Sequence, residues 1–170
     1  MYLEPAKTIE DWQAASNLLI DVMENLNRQN FALWNESQLT LDGLTRQYKG
    51  GELFLAKSQG KLEGVVFLQE QDSYFWPELT GKDSLFLHKL AIHPTNKGLN
   101  KGAELITLAE QEAIKRGLAW LRLDCDDRKP LHNFYQKSEF NLVDITRMGS
   151  SIVARYEKPI IPLSKSLRSI

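Results

Sequence analysis

Apolar residues near the start of the chain recur with a helical period. Trp12, Ala15, Leu19 and Met23 are three or four positions apart, and this spacing places them on one face of an α-helix. Residues 8–11 have the hydroxyl and acidic side chains of a capping box, which marks where a helix begins. We therefore predict a helix with one face in the core, followed by a shorter helix around Leu41, Leu44 and Tyr48.

Two further apolar runs are typical of paired β-strands. Residues 52–57 and 62–69 have this character, and the segment 58–61, Ser-Gln-Gly-Lys, has the composition of a hairpin turn. The pattern predicts a β-hairpin.

The central stretch of the chain combines a strand, a glycine-bearing loop and a helix. Residues 85–92 are apolar apart from His88 and Lys89, which predicts a strand covered on both faces. Pro94 ends the strand because proline has no backbone N–H to donate. The loop at 97–102 then presents backbone N–H groups at the positive end of a helix, which is how anions are bound. Spacing alone leaves a phosphate loop and an ordinary tight turn equally open.

The last third continues the alternation of helices and strands. Gly117 ends the helix that follows the loop, and Pro130 suits the first turn of another helix after an intervening strand. Residues 141–147 and 151–158 are predicted to pair antiparallel. Residues 159–170 show neither a helical period nor a strand-like alternation.

The order of elements indicates one mixed α/β domain built on a single sheet over residues 1–158, with a C-terminal tail at 159–170. Of 170 residues, 42% are hydrophobic and 25% charged, as in ordinary globular proteins. The net charge of −1 argues against a surface that binds polyanions, so nucleic acid is not an expected partner.

Cysteine content and hydropathy narrow the class further. Cys125 is the only cysteine, which excludes an intrachain disulfide and a zinc site made of several cysteines. We read this thiol as a packing residue. The chain has no apolar run long enough to span a bilayer and no signal-like N-terminus, so we expect a cytoplasmic protein without a membrane partner.

Two segments resemble motifs of the GNAT superfamily of acetyl-CoA-dependent N-acetyltransferases. Residues 90–102, LAIHPTNKGLNKG, are similar to the family's strand and pyrophosphate loop, written Q/R-x-x-G-x-G/A. Residues 131–140, LHNFYQKSEF, are similar to its F-Y-x-x-x-G-F helix end. With the order of elements, the resemblance covers nearly the whole chain. It implies a GNAT-like fold, with a single central, mostly antiparallel sheet flanked by helices and splayed at its two central strands.

Several positions depart from the family pattern. Lys97 stands where arginine or glutamine is usual, and Arg128 stands where an asparagine often contacts the pantetheine arm. Asn100 and Glu139 replace glycines. We expect both to adopt a strained backbone conformation that costs roughly 1–2 kcal/mol for a residue with a side chain.

The resemblance implies acetyl-CoA as cofactor and direct attack of an amine on its thioester. Tyr135 matches the family's tyrosine general acid, and its unperturbed pKa of about 10 lies above that of a thiol; the alternative is a packing tyrosine. A backbone N–H near Leu90 is expected to stabilise the oxyanion. The expected cofactor-binding residues are Leu90, Ala91, Ile92, Lys97, Gly98, Leu99, Asn100, Lys101, Gly102, Ala103, Arg128, Phe134, Tyr135 and Lys137.

His88 is the candidate general base, although many family members carry a catalytic glutamate where this chain has Phe86. Strand alternation places His88 on one face with Phe86, Leu90 and Ile92, and its pKa would suit accepting an ammonium proton. The run HKLAIH is similar to the strand of arylalkylamine N-acetyltransferases, in which a histidine has this role. A structural histidine and a water-only route are alternatives, as are the acidic residues Glu70, Asp72 and Glu78.

Aromatic residues in two predicted loops are candidate substrate contacts. The Tyr-Phe-Trp run at 74–76 suits a lid or a substrate wall, and equally a hydrophobic plug or a subunit contact. We predict a small-molecule primary amine as acceptor; a protein or peptide amine and a non-catalytic acetyl-CoA-binding domain are the alternatives. The resemblance to the family and the apolar tail favour a homodimer. We expect no metal site. The substrate-contact candidates are Phe31, Trp34, Tyr74, Trp76 and Phe86.

Overall fold

The computed structural model describes residues 1–161, so most of the predicted tail lies outside the described residues. Within them, the helices and strands follow the predicted order, except that two short helices stand where one was predicted. A 3-10 turn, Pro94–Asn96, follows the fourth strand. The elements are β1 (Tyr2–Pro5), α1 (Ile9–Arg28), α2 (Glu36–Leu39), α3 (Leu41–Gln47), β2 (Leu53–Ser58), β3 (Lys61–Gln69), β4 (Ser84–Ile92), α4 (Lys101–Lys115), β5 (Trp120–Asp126), α5 (Lys129–Lys137), β6 (Asn141–Met148) and β7 (Ser151–Pro159).

The strands form one seven-stranded sheet in the order β1-β2-β3-β4-β5-β7-β6. The pairs β1/β2, β2/β3, β5/β7 and β6/β7 are antiparallel, whereas β4 and β5 are parallel. The register of the parallel pair covers the first three of the nine residues of β4, Ser84–Phe86, opposite Trp120–Arg122. This mixed, mostly antiparallel sheet flanked by helices confirms the predicted fold class.

The chain divides into two compact units, each made of two segments. The first unit comprises Met1–Leu68 and Lys89–Leu108, and the second comprises Gln69–His88 and the chain from Ala109 onward. β7 extends to Pro159, one residue beyond the predicted end of the domain.

Side chains of α1 and of the first strands form the core of the first unit. Trp12, Ala15, Leu19 and Met23 pack there with Phe67, as the helical period predicts. The predicted capping box is present, because the Thr8 hydroxyl accepts from the Asp11 N–H and the Asp11 carboxylate accepts from the Thr8 N–H, each at 3.1 Å. This pairing fixes where α1 begins.

The region predicted as one shorter helix contains two. Thr40 separates α2 from α3 with an extended backbone, and its hydroxyl accepts from the Gly43 N–H at 3.1 Å. The hairpin prediction is confirmed: Gln59 and Gly60 have φ values of 50° and 76°, which suits a two-residue turn between twisted strands. Among residues 1–161, no helix combines the length and apolar character needed to cross a membrane.

Candidate active site

The loop predicted to bind phosphate lies in the first unit, between β4 and α4. Residues 97–100 are exposed. Gly98 and Asn100 have φ values of 81° and 58°, so Asn100 has the left-handed conformation expected from its place in the motif. Two of the loop's N–H groups, those of Lys97 and Leu99, donate to backbone carbonyls of the preceding turn, so an anion here would be bound by the other N–H groups of the loop and of the first turn of α4.

The two lysines of the loop already have partners. The Lys97 ammonium donates to the Gln29 side-chain oxygen at 3.0 Å, and the Lys101 ammonium lies 3.6 Å from a carboxylate oxygen of both Glu63 and Glu104. Both lysines are among the cofactor contacts predicted from the sequence. In this structure they are engaged, so the loop's capacity to bind an anion depends chiefly on backbone N–H groups.

Lys89 interrupts the regular pleat of β4. Its φ is 47°, a left-handed conformation in the middle of a strand, and its ammonium lies 3.0 Å from the Gln47 side-chain oxygen and 3.1 Å from the Tyr48 hydroxyl. A residue in this conformation reorients the strand locally. The strict alternation predicted for His88, Leu90 and Ile92 therefore does not continue across Lys89, and that part of the prediction is wrong.

Tyr135, the candidate acid, lies on α5 in the second unit and packs among aromatic rings. Its ring centroid lies 5.0 Å from that of Phe134, 5.8 Å from that of Phe140 and 5.9 Å from that of Tyr156. Burial raises the pKa of Tyr135, and the negative charges of Cys125 and Asp124 in their ionised forms raise it further. The phenol therefore keeps its proton at neutral pH, as a general acid requires.

His88, the candidate base, belongs to a cluster with two carboxylates in the second unit. Its Nε2 lies 3.4 Å from the Asp72 Oδ2. One ligand atom each of Asp72, His88 and Asp124 lies within 4.8 Å of the other two. His88 lies two residues after Phe86 and Asp124 two residues after Arg122, the last pair in the β4/β5 register.

Trp76 holds the segment that carries Asp72 against the sheet. It is 2% exposed, its ring centroid lies 6.1 Å from that of Phe86, and the guanidinium groups of Arg122 and Arg155 lie 5.8 and 4.6 Å from its ring. The backbone N–H of Trp76 donates to the Asp72 carbonyl at 3.0 Å. This burial agrees with the plug alternative for the aromatic run, and the substrate roles of Trp76 and Phe86 stay predictions.

The remaining acidic candidates are engaged by arginines. Glu70 lies 3.6 Å from Arg116, and Glu78 lies 2.6 Å from Arg155. Of the three acidic candidates, Asp72 is the one beside His88. Asp124 was not predicted from the sequence, because its nearness to His88 depends on the pairing of β4 with β5.

The other predicted site residues occupy varied surroundings. Trp34 packs against the core of the first unit, whereas Tyr74 is 61% exposed. Arg128 is the residue just before α5, where it makes no side-chain capping hydrogen bond, and it pairs with Asp126 at 2.9 Å. Cys125 is half-buried, and burial raises its pKa to about 12, so the thiol is not an activated nucleophile.

Comparison with known proteins decides the family. A profile of the acetyltransferase (GNAT) family matches residues 19–140, well over half of the chain. The chain belongs to the GNAT family. It is therefore an acetyl-CoA-dependent N-acetyltransferase, and both the predicted family and the predicted cofactor are confirmed.

One sequence relative and one solved structure each match this GNAT enzyme over most of its length. The uncharacterized N-acetyltransferase YesJ of Bacillus subtilis (strain 168) is 27% identical over 158 residues, which is 89% of this chain and 86% of YesJ. A GNAT-family acetyltransferase structure from Listeria monocytogenes 4b F2365 has a TM-score of 0.76 at 20% identity, covering 92% of this chain and 93% of that one. The structural likeness shows the shared fold.

Another solved structure with this fold contains coenzyme A. It is an aminoglycoside 6'-N-acetyltransferase, with a TM-score of 0.67 at 16% identity, covering 95% of this chain and 98% of that one. The ribosomal-protein-S18-alanine N-acetyltransferase from Escherichia coli also has the fold, with a TM-score of 0.64 at 18% identity over 94% of each chain.

Proposed function

We propose that this GNAT enzyme acetylates a primary amine of a small molecule by direct attack in a ternary complex. The supporting observation is the enclosure of the candidate base, since the side chains of His88 and Asp72 are 14% and 7% exposed. A proton can reach such a base from a slender amine or through one water. A bulky polypeptide acceptor requires wider access.

Each proposed role follows from the step it serves. The amine attacks the thioester carbon, so a C–N bond forms and the C–S bond breaks. His88 takes the ammonium proton, and Tyr135 gives its proton to the departing thiolate. The Leu90 N–H stabilises the oxyanion.

The cofactor and substrate contacts proposed from the family motifs complete this assignment. The pyrophosphate is bound by the backbone of residues 97–103, with Ala91, Ile92, Arg128, Phe134 and Lys137 as further cofactor contacts. Phe31, Trp34 and Tyr74 are proposed to contact the acceptor. A homodimer and a cytoplasmic location stay predictions.

The acceptor class is tested with a panel of amines after cofactor binding has been measured. Calorimetry with coenzyme A comes first, so that an inactive preparation is recognised. Thiol release is then followed with aliphatic and aromatic primary amines, an aminoglycoside, and peptides with free N-termini or lysines. We expect turnover on small amines and at least a tenfold lower kcat/KM on every peptide. The panel includes both acceptor kinds because structural neighbours are named as an aminoglycoside and a ribosomal-protein-alanine acetyltransferase. Preferred turnover on a peptide would overturn the small-molecule assignment.

A further inference from the structure

Three potential metal ligands converge in the second unit. Two of them, His88 and Asp124, lie on the neighbouring parallel strands β4 and β5. The third, Asp72, lies on the segment that Trp76 holds in place, and one ligand atom of each residue lies within 4.8 Å of the other two. We infer that Asp72, His88 and Asp124 bind a divalent transition-metal ion, a site that the sequence alone did not predict.

The separation of Asp72 from His88 fits metal ligation better than a direct hydrogen bond. The Asp72 Oδ2 and the His88 Nε2 are 3.4 Å apart, beyond the range of about 2.7–3.2 Å for hydrogen bonds to oxygen. Two ligands bound at about 2.0–2.1 Å with a tetrahedral angle are separated by about 3.3–3.4 Å. The observed spacing matches that edge length.

The Asp72 carboxylate is also oriented before any ion binds. Its Oδ1 accepts from the Phe75 N–H at 3.0 Å, which fixes the plane of the carboxylate. Its Oδ2 is buried and makes no hydrogen bond within the described residues, and the side chain is 7% exposed. A buried carboxylate oxygen without a donor is costly, and a cation bound at this position would remove that cost.

The ligand set selects the class of ion. One imidazole nitrogen with two carboxylate oxygens suits Zn²⁺, Co²⁺ or Mn²⁺ better than Mg²⁺ or Ca²⁺, which prefer oxygen ligands alone. A dication also balances the charge of the two carboxylates when the imidazole is neutral. Cys125 is not a ligand, because it follows Asp124 on the strand and so faces the other side of the sheet.

The histidines of the chain supply matched controls. The sequence has three; His88 has two aspartates nearby, and each of the other two has an ion pair with one aspartate. The His132 Nε2 lies 2.7 Å from Asp127, and the His93 Nε2 lies 3.7 Å from Asp21. Within the described residues, the metal-ligand cluster of three groups forms around His88. Binding should therefore depend on His88 and be insensitive to the other two histidines.

The test is direct metal binding by the full chain after treatment with EDTA and dialysis. Calorimetric titration with ZnCl₂ should give one equivalent per chain, and CoCl₂ should produce visible d–d absorption bands. The variants Asp124→Asn and His88→Gln should each weaken zinc binding at least about 100-fold. The variants His132→Gln and His93→Gln should bind zinc as the unmodified chain does. Zinc should also raise the melting temperature of the unmodified chain but not that of Asp124→Asn.

Several results would overturn the inference. The first is no zinc binding by the unmodified chain. The second is a zinc affinity in Asp124→Asn equal to that of the unmodified chain, and the third is a loss of zinc affinity in His132→Gln as large as that in His88→Gln. Asp124→Asn keeps the shape of the side chain, and its coenzyme A affinity and cooperative melting show whether the variant is folded. Asp72→Asn is a second variant of this kind. Since the readout is metal binding, the outcome does not depend on the acceptor. Zinc bound at the His88 Nε2 would occupy the lone pair that the proposed base needs, so the base role belongs to the metal-free chain and zinc should inhibit thiol release. If zinc binds with these ligands and leaves turnover unchanged, the metal site stands and the assignment of His88 as base is wrong.

Discussion

Tyr135, the proposed general acid, lies in surroundings that keep its phenol protonated. Burial among three aromatic rings raises its pKa, so the phenol remains protonated through neutral and moderately alkaline pH. We expect Tyr135→Phe to lower kcat by about 100-fold or more, the usual size of a general-acid contribution, while the dissociation constant for acetyl-CoA changes little. Thiol-release kinetics and calorimetry measure the two quantities separately.

Tyr156→Phe is the matched control, because that buried ring packs against Tyr135 and its hydroxyl contacts His132 rather than a proposed reactant. Its kcat should fall less than about tenfold. Equal losses of kcat in the two variants would show that the aromatic packing, and not proton donation, is what Tyr135 provides.

Glu139 has a backbone conformation that glycine adopts more easily. Its φ is 66°, just after α5, where the family motif has glycine. We expect Glu139→Gly to raise the free energy of unfolding by about 0.5–1 kcal/mol, since relief of steric strain exceeds the added entropy of the unfolded chain. Urea denaturation measures the change. Glu139→Ala removes the same distant contact with Lys158 but keeps the strain, so equal stabilisation by alanine would assign the effect to charge.

At the scale of strands, Gly64 permits a close approach between backbones in the first unit. A Cβ at this position would lie 2.8 Å from both the Ala91 carbonyl oxygen and the Ile92 Cδ1. The carbonyl belongs to β4 and cannot move without disturbing the strand. We therefore expect Gly64→Ala to lower the free energy of unfolding by about 1–3 kcal/mol, measured by chemical denaturation.

Gly50→Ala is the control for this substitution, because no atom lies within 4 Å of the position its Cβ would occupy. Gly50→Ala should change the free energy of unfolding by no more than about 0.5 kcal/mol. A comparable loss in both variants would mean that the cost comes from the glycine substitution itself and not from the approach to β4.

The helices and strands differ in how far each could be predicted from the sequence. Elements with strong local signals, such as α1 with its capping box and the hairpin at Gln59 and Gly60, are where the pattern placed them. The left-handed Lys89 could not be predicted, because a lysine in an apolar run does not mark a bulge. Asp124 was missed because its relation to His88 depends on the register of two strands far apart in the sequence, which residue types alone do not specify.

For the whole molecule, three fully or partly buried groups make stability sensitive to alkaline pH. Burial raises the pKa of Cys125 to about 12 from an ordinary value of 9.0, and burial also raises the pKa values of Tyr135 and Tyr156. A raised pKa means that the folded state retains its proton where the unfolded chain has lost it. The stabilising contribution is therefore complete below about pH 9 and declines as pH rises through the folded-state pKa values.

The thiol's share of this decline can be isolated with Cys125→Ser, because serine has a similar size and does not ionise in this range. Between pH 9 and 11, the free energy of unfolding of the unmodified chain should fall more steeply than that of the variant, by up to about 1.4 kcal/mol per pH unit. The comparison is of slopes, so any constant cost of the substitution cancels. Parallel slopes would show that Cys125 ionises equally easily in the folded and unfolded chains, which contradicts its burial.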